Sequence, residues 1–304
     1  MRATVTVRVP GSTSNLGAGF DCVGVAVDRW LRVTTRLGAG APGIERRGTL
    51  RALDTPPERD LLYRGFAAAC ERARRDVPSP ASVAFAADSN VPVARGLGSS
   101  AAAAVAGAAA ATALLGLELD RADLATICAA LEGHADNVAP AVYGGATLVL
   151  STPDGLLVAS LMVHESLALV FAVPDFTVET KRARAVLPAA LAHAQAALAA
   201  AKSAALVTGL AHADPRLLAA GFDDVLHVPF RRSLVPGYDA VTGAARAAGA
   251  YGATLSGSGP TLVAVAPVAH GAAVGAAMVR AWRGCDITAE TFHVARPAGG
   301  YETD

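Results

Sequence analysis

The sequence has no excess of charge of either sign: Lys and Arg total 26, Asp and Glu total 26, and charged residues make up only 17% of the 304. This balance excludes the basic footprint of a nucleic-acid binder and a polybasic membrane patch, and it favours a small neutral or zwitterionic partner. Cysteine is scarce. Cys22, Cys70, Cys128 and Cys285 form no C-x-x-C pair, so neither a zinc site nor a disulfide framework is indicated, and they read as small core residues. The alanine-rich "AAAAVAGAAAATALLG" is broken by glycine before it reaches the length of a membrane span, and it reads as a buried helix. The opening "MRATVTVRVP" lacks the regions of a signal peptide, so a cytoplasmic location is expected. No repeat or low-complexity tract stands out beyond the alanine enrichment.

What is present is a chain that is 53% hydrophobic, long enough for two domains or one large one. Strand-like runs fall at 4–9, 23–36, 81–87, 145–150, 167–173, 261–266 and 288–294. Helical patterns fall at 60–75, 99–115, 120–133, 181–201, 203–211 and 237–249. Strands lie close together early and helices cluster later, which predicts an α+β class. The turn signal "STPDG" suggests a division into residues 1–151 and 152–304, and the tail "RPAGGYETD" is expected to fray.

Five segments carry candidate chemistry. "GSTSNLGAGFD" follows the first strand; its glycines permit close backbone approach, and Asn15 and Asp21 are its strong polar groups. A self-capped turn explains it equally well. "VPVARGLGSSAAAAVAG" puts a glycine-serine loop before an alanine helix, which aims backbone N–H groups and a helix dipole at one point and so reads as an anion site. A Walker loop is excluded because no G-K-[ST] follows. "GLGSSA" matches a dinucleotide fingerprint only formally, since it does not lie between the first strand and the first helix. "LEGHADNVAPAVYGG" gathers Glu132, His134, Asp136 and Asn137, where a carboxylate could hold Mg²⁺ against phosphates; a charged helix end breaking into a loop is the plainer alternative. "DFTVETKRARAVLP" places Thr180 and Arg184 on one helical face, and "LHVPFRRSLVPG" adds Arg231 and Arg232 on a loop, where guanidinium forks suit a carboxylate.

The segments "PGSTSNLGAGFD", "PVARGLGSSAAAAVAG" and "TLSGSGPTLVAV" together resemble the three motifs of the GHMP kinase superfamily of ATP-dependent small-molecule kinases. "EGHADNVAPAVYGG" and "VLHVPFRRSLVPG" narrow the resemblance to the branch that phosphorylates the side-chain hydroxyl of L-homoserine. The resemblance implies an N-terminal domain like domain 2 of ribosomal protein S5 and a C-terminal ferredoxin-like domain, with the site between them. It implies ATP on Pro92, Arg95, Gly96, Leu97, Gly98, Ser99, Ser100 and Ala101, with Mg²⁺ at Ser100 and Glu132. Asn15, Asp21, His134, Asp136, Arg184 and Arg231 would then line the acceptor pocket. Glu132, Ser100, Thr180 and Asn137 would stand at the transferring phosphate, and with Asn137 where many relatives keep an aspartate, transfer would be direct without a strong protein base unless Asp136 serves. Homoserine and ATP are the implied partners, without nucleic acid or membrane, and a homodimer is an open expectation. Other kinases of the superfamily, or a silent ligand-binding member, remain the alternatives.

Overall fold

The first strand runs further than its β-branched residues suggest. In the computed structural model, which describes residues 3–38, 43–153 and 155–304, β1 spans Thr4–Asn15 and β2 spans Gly19–Leu37. The glycine-serine stretch expected to be loop is therefore strand up to Asn15. Ser12, Thr13 and Ser14 are fully buried, and their backbones pair with Ala26, Val25 and Gly24. Only residues 16–18 remain as the turn.

In chain order there follow β3 (Gly43–Gly48), α1 (Leu61–Arg72), β4 (Val83–Ser89), α2 (Ser99–Leu115), α3 (Arg121–Glu132) and α4 (Val138–Tyr143). Then come β5 (Ala146–Thr152), β6 (Gly155–Leu161), β7 (Leu167–Pro174), α5 (Thr180–Ala185), α6 (His193–His212), α7 (Pro215–Phe222), α8 (Val228–Arg231) and α9 (Tyr238–Ala247). The chain closes with β8 (Gly252–Leu255), β9 (Leu262–Pro267), α10 (Gly271–Arg283), β10 (Ala289–Val294) and β11 (Glu302–Thr303).

Two sheets result. The first has the order β11-β1-β2-β4-β3, and β5 and β6 extend it from the start of β2. Its core is the alanine helix α2, buried almost along its length against Val5, Val7, Val9, Val33 and Phe85. Small residues allow that close packing: a Cβ on Gly107 would lie 1.9 Å from the Leu62 carbonyl of α1. The second sheet has the order β10-β7-β9-β8, all antiparallel. α9 and α10 cover one face through Val241, Val274, Met278 and Trp282. Its other face meets α6, α7, the β2 residues Val23 and Val25, and Leu16 of the β1–β2 turn in one shared apolar cluster.

Several expectations change. Strands at 43–48, 155–161, 252–255 and 302–303 and the short helix α4 were not read from pattern, because each is short or half exposed. The helix expected over 181–201 is two helices: Pro188 lies in the break, where it lacks an N–H and disfavours helix at the residue before it. Arg231 stands at the end of α8, not on an open loop. The division after residue 151 falls inside the β5–β6 hairpin, whose second strand still belongs to the first sheet. Nor does the tail fray. Ala298 donates to the Ala26 carbonyl, Tyr301 donates to that of Ala141, and Arg121 lies 5.2 Å from the Tyr301 ring centroid.

Candidate active site

Three backbone segments are stitched together at the meeting of the two sheets. Ser12 N donates to the Leu97 carbonyl (3.0 Å), Gly257 N donates to the Ser14 carbonyl (2.9 Å), and Ser256 Oγ donates to the Gly96 carbonyl (2.6 Å). Glycine is required in the middle segment. Gly96 and Gly98 have φ of 74° and 68°, and a Cβ on either would lie 2.1 Å from the Ser256 carbonyl and Ser12 Oγ respectively. The result is a sharp turn whose last residue starts α2 without a side-chain cap, leaving the first N–H groups and the positive end of the dipole directed outward.

A cleft of about 330 Å³ opens over this turn. At one end Leu31, Leu50, Leu53, Leu61 and Val93 form an apolar wall. Asp60 stands there too, capping α1 through Leu62 N (2.9 Å) and accepting from Arg46 (2.7 Å). The middle holds Pro92 and residues Arg95 to Ser100. Arg95 is occupied structurally, donating to the Phe176 and Asp175 carbonyls. Ser100 Oγ donates to Glu132 Oε2 at 2.6 Å, and so brings the end of α3 to the start of α2. Ala101, expected on the nucleotide, is fully buried in the core and is not among the residues that line the cleft, because its methyl packs into the first sheet's cluster.

The other end is polar and mixed in charge: Ser14, Asn15, His134, Asp136, Asn137, Thr180, Arg184 and Arg231 line it. Thr180 Oγ1 lies 3.3 Å from Ser258 Oγ. Arg184 forks onto Asp21 at 2.9 and 3.2 Å, a pair in which both side chains are 38% exposed. Arg231 is 2% exposed. Burial, reinforced by the nearby Arg184 charge, lowers its pKa to about 10, so it remains a cation at neutral pH. His134 Nδ1 meets Asp136 Oδ1 at 2.8 Å. Burial opposes charge on both partners. The mutual hydrogen bond and attraction outweigh it, lifting the imidazole above its ordinary pKa and holding the carboxyl below its own.

Two predicted residues have other work. Asn15 donates to the Gly257 carbonyl (2.7 Å) and accepts from Asp21 N (3.0 Å). Asn137 accepts from Ser12 Oγ (2.9 Å) and donates to Ser14 Oγ (2.8 Å). Both amides tie β1 to its neighbours. The backbone is unusual here as well, with Asn15, Leu16 and Asp21 all at positive φ, a strain that packing must sustain.

The GHMP kinases N terminal domain family matches residues 60–145, and the GHMP kinases C terminal family matches 206–284. The homoserine kinase of Nostoc sp. (strain PCC 7120) is 42% identical over 299 residues, covering 98% of each chain. The chain belongs to the homoserine kinase family. The homoserine kinase of Microchaete diplosiphon is likewise 42% identical, over 95% of this chain and 93% of its own. The crystal structure of the homoserine kinase from Cytophaga hutchinsonii superposes with a TM-score of 0.88 at 31% identity, covering 100% of this chain and 98% of that one. At 17% identity and a TM-score of 0.65, the L. major mevalonate kinase shares the fold.

Within this homoserine kinase fold, the hydroxyls of Ser12, Ser14, Ser256 and Ser258 and the cluster of Asp224 and His227 beneath Arg231 were missed from sequence. The only signal for the hydroxyls was their crowding beside glycine. The Asp224 cluster announced itself only as the start of "DVLHVPFR".

Proposed function

We propose that the cleft aligns ATP with L-homoserine and transfers the γ-phosphoryl group to the side-chain hydroxyl, giving O-phospho-L-homoserine on the way to threonine. The observation that carries this reading is the set of opposite charges at the polar end: Asp21, Arg184 and Arg231 converge beside Thr180 and the glycine turn. A zwitterionic amino acid complements them. Its ammonium takes Asp21, and its carboxylate takes Arg184 and Arg231. The Asp21–Arg184 pair opens at low cost, because an ion pair exposed to this degree contributes only about 0–1 kcal/mol.

The uncapped start of α2 suits the phosphates of ATP, and the apolar end suits its base. Ser100 and Glu132 are hard oxygen donors held together at that start. Among the described residues no group of three His, Cys, Asp or Glu could hold a metal alone. This fits Mg²⁺, which takes one or two carboxylates and completes its shell with water and phosphate. Bound there, the ion would neutralise charge on the phosphates. Thr180, which lines the same cleft, would donate to the transferring group. Asp136 is a poor base, since His134 keeps its carboxyl ionised and weakly basic. Asn137 has no basic atom. The acceptor proton therefore leaves to a phosphoryl oxygen, as a loose transition state allows, and the protein supplies alignment and charge.

The test is ADP release by the pure protein with Mg²⁺, ATP and a panel of homoserine, mevalonate, galactose and shikimate. Turnover with homoserine is expected. Turnover with another acceptor alone, or ATP binding with no turnover, would overturn the assignment.

A further inference from the structure

Arg231 poses a problem that the proposed function leaves open. Its guanidinium lies at the floor of the cleft, almost wholly buried, and among the described residues it has no ion-pair partner. A flexible four-bond side chain needs something to aim it. Three contacts do so: Nε donates to the Ala183 carbonyl of α5 (2.9 Å), Cζ sits 5.1 Å from the Phe20 ring centroid, and Nη1 faces His227 Nδ1 at 3.5 Å.

The state of His227 follows from its other nitrogen. Nε2 lies 3.1 Å from the Gly17 carbonyl, an oxygen that only accepts, so Nε2 carries the hydrogen and Nδ1 presents a lone pair to the guanidinium. The ring is fully buried and stacks on Phe20, with centroids 5.0 Å apart and planes at 20°. Beneath it Asp224 accepts from Leu226 N, His227 N and Val228 N at 2.9, 2.6 and 2.7 Å, which fixes the backbone carrying both His227 and Arg231. Burial holds the imidazole down at about 4, so it is neutral where the enzyme works and does not repel the cation beside it. One ring thus joins the β1–β2 turn, through Gly17, and the start of β2, through Phe20, to the arginine on α8.

We infer that His227 is the positioning residue for acceptor recognition: its Nδ1 lone pair and the Phe20 face set the Arg231 guanidinium so that its remaining N–H edge meets the acceptor carboxylate. The inference rests on the reading that Arg231 binds that carboxylate. It accounts for a buried cation kept without an anion, since the substrate itself supplies the missing charge.

The experiment separates the two ring nitrogens. In His227→Asn the side-chain oxygen falls where Nδ1 was and still accepts from Arg231, while the link to Gly17 is lost. In His227→Gln the amide nitrogen falls where Nε2 was and still reaches Gly17, while Arg231 loses its acceptor. KM for homoserine should stay within about threefold of wild type in H227N and rise about tenfold in H227Q, the size of a lost hydrogen bond to a charged group. KM for ATP should stay unchanged in both, and H227Q should add nothing in an Arg231→Ala background. Equal KM for homoserine in the two variants, or effects that multiply in the double mutant, would overturn the role of His227. An unchanged KM for homoserine in Arg231→Ala would instead overturn the reading of Arg231. Should the variants not fold, nitrogen NMR of the wild type decides: the Nε2–H tautomer is expected, and an Nδ1–H tautomer refutes the inference.

Discussion

Replacing Gly98 with alanine tests whether the glycine turn before α2 is held by contact or by backbone conformation alone, because the chain contains a matched control. Gly98 and Gly116 bracket α2 with nearly the same left-handed conformation, φ 68° and 64°. A Cβ on Gly116 would meet nothing within 4 Å, whereas on Gly98 it would lie 2.1 Å from Ser12 Oγ and 3.1 Å from Asn137 Oδ1. Both substitutions incur the left-handed strain of about 1–2 kcal/mol. Gly98→Ala must in addition displace Ser12 Oγ from Asn137 O and Oδ1, at 3.0 and 2.9 Å. Leaving those buried acceptors unpaired costs about 1–3 kcal/mol more. Urea denaturation should therefore give losses of about 1–2 kcal/mol for G116A and about 2–5 kcal/mol for G98A. KM for ATP should rise only in G98A, because the start of α2 moves with Ser12. Equal losses in the two variants, with KM for ATP unchanged in both, would refute the claim that this turn is locked by its contact to β1.

Glu132→Gln should fold normally and lose turnover by about 10²–10³, the usual effect of removing one transition-state charge contact; a coupled assay reporting wild-type turnover would make Glu132 structural. Asp136→Asn should remove a pH-dependent share of stability. The pKa of His134 is raised in the folded chain above its ordinary value of 6.5, so the share it contributes is complete below that pH and lost as the pH rises through the raised value. Asp136 is lowered from 3.8, so its share is complete above that pH and lost as the pH falls through the lowered value. The gap between wild type and D136N should thus be widest at mildly acidic pH and narrow on the alkaline side, and a gap independent of pH in calorimetry would contradict the ion pair. Tyr301→Ala should lower stability by about 0.5–1 kcal/mol, as expected for the lost contact with Arg121; no change in the denaturation midpoint would show that the tail is held by its backbone bonds alone.

The sequence made the glycine turn, the alanine helix and the arginines visible, because each of them stands out by residue type: glycine where φ is positive, alanine where helices touch, guanidinium where the cleft carries positive charge. Asn15 and Asn137 were legible as special but not for their contacts. An amide that ties two strands and an amide that touches a ligand look the same in one dimension. Ser12, Ser14 and Ser256 were hidden for a similar reason, since a hydroxyl serves a turn, a strand or a site without changing its neighbours. The apolar end of the cleft draws on β2, on the segment after β3 and on the start of α1, and no local pattern joins residues so far apart. His227 was unreadable because its meaning lies in Gly17 and Arg231, which only the folded chain brings to its two nitrogens.

The acceptor selectivity of Arg231→Ala tests the central claim most directly. Initial rates of ADP release are compared for homoserine and for 3-aminopropan-1-ol, which keeps the hydroxyl and ammonium but lacks the carboxylate. If Arg231 binds that carboxylate, the variant should lose about 2–5 kcal/mol of homoserine binding, as a buried charge pair does when one partner is removed. KM for ATP should hold, and the amino alcohol, already a poor acceptor for the wild type, should lose little more. Equal damage to both acceptors, or an effect confined to ATP, would contradict the claim that this cleft recognises a zwitterionic amino acid through Arg231.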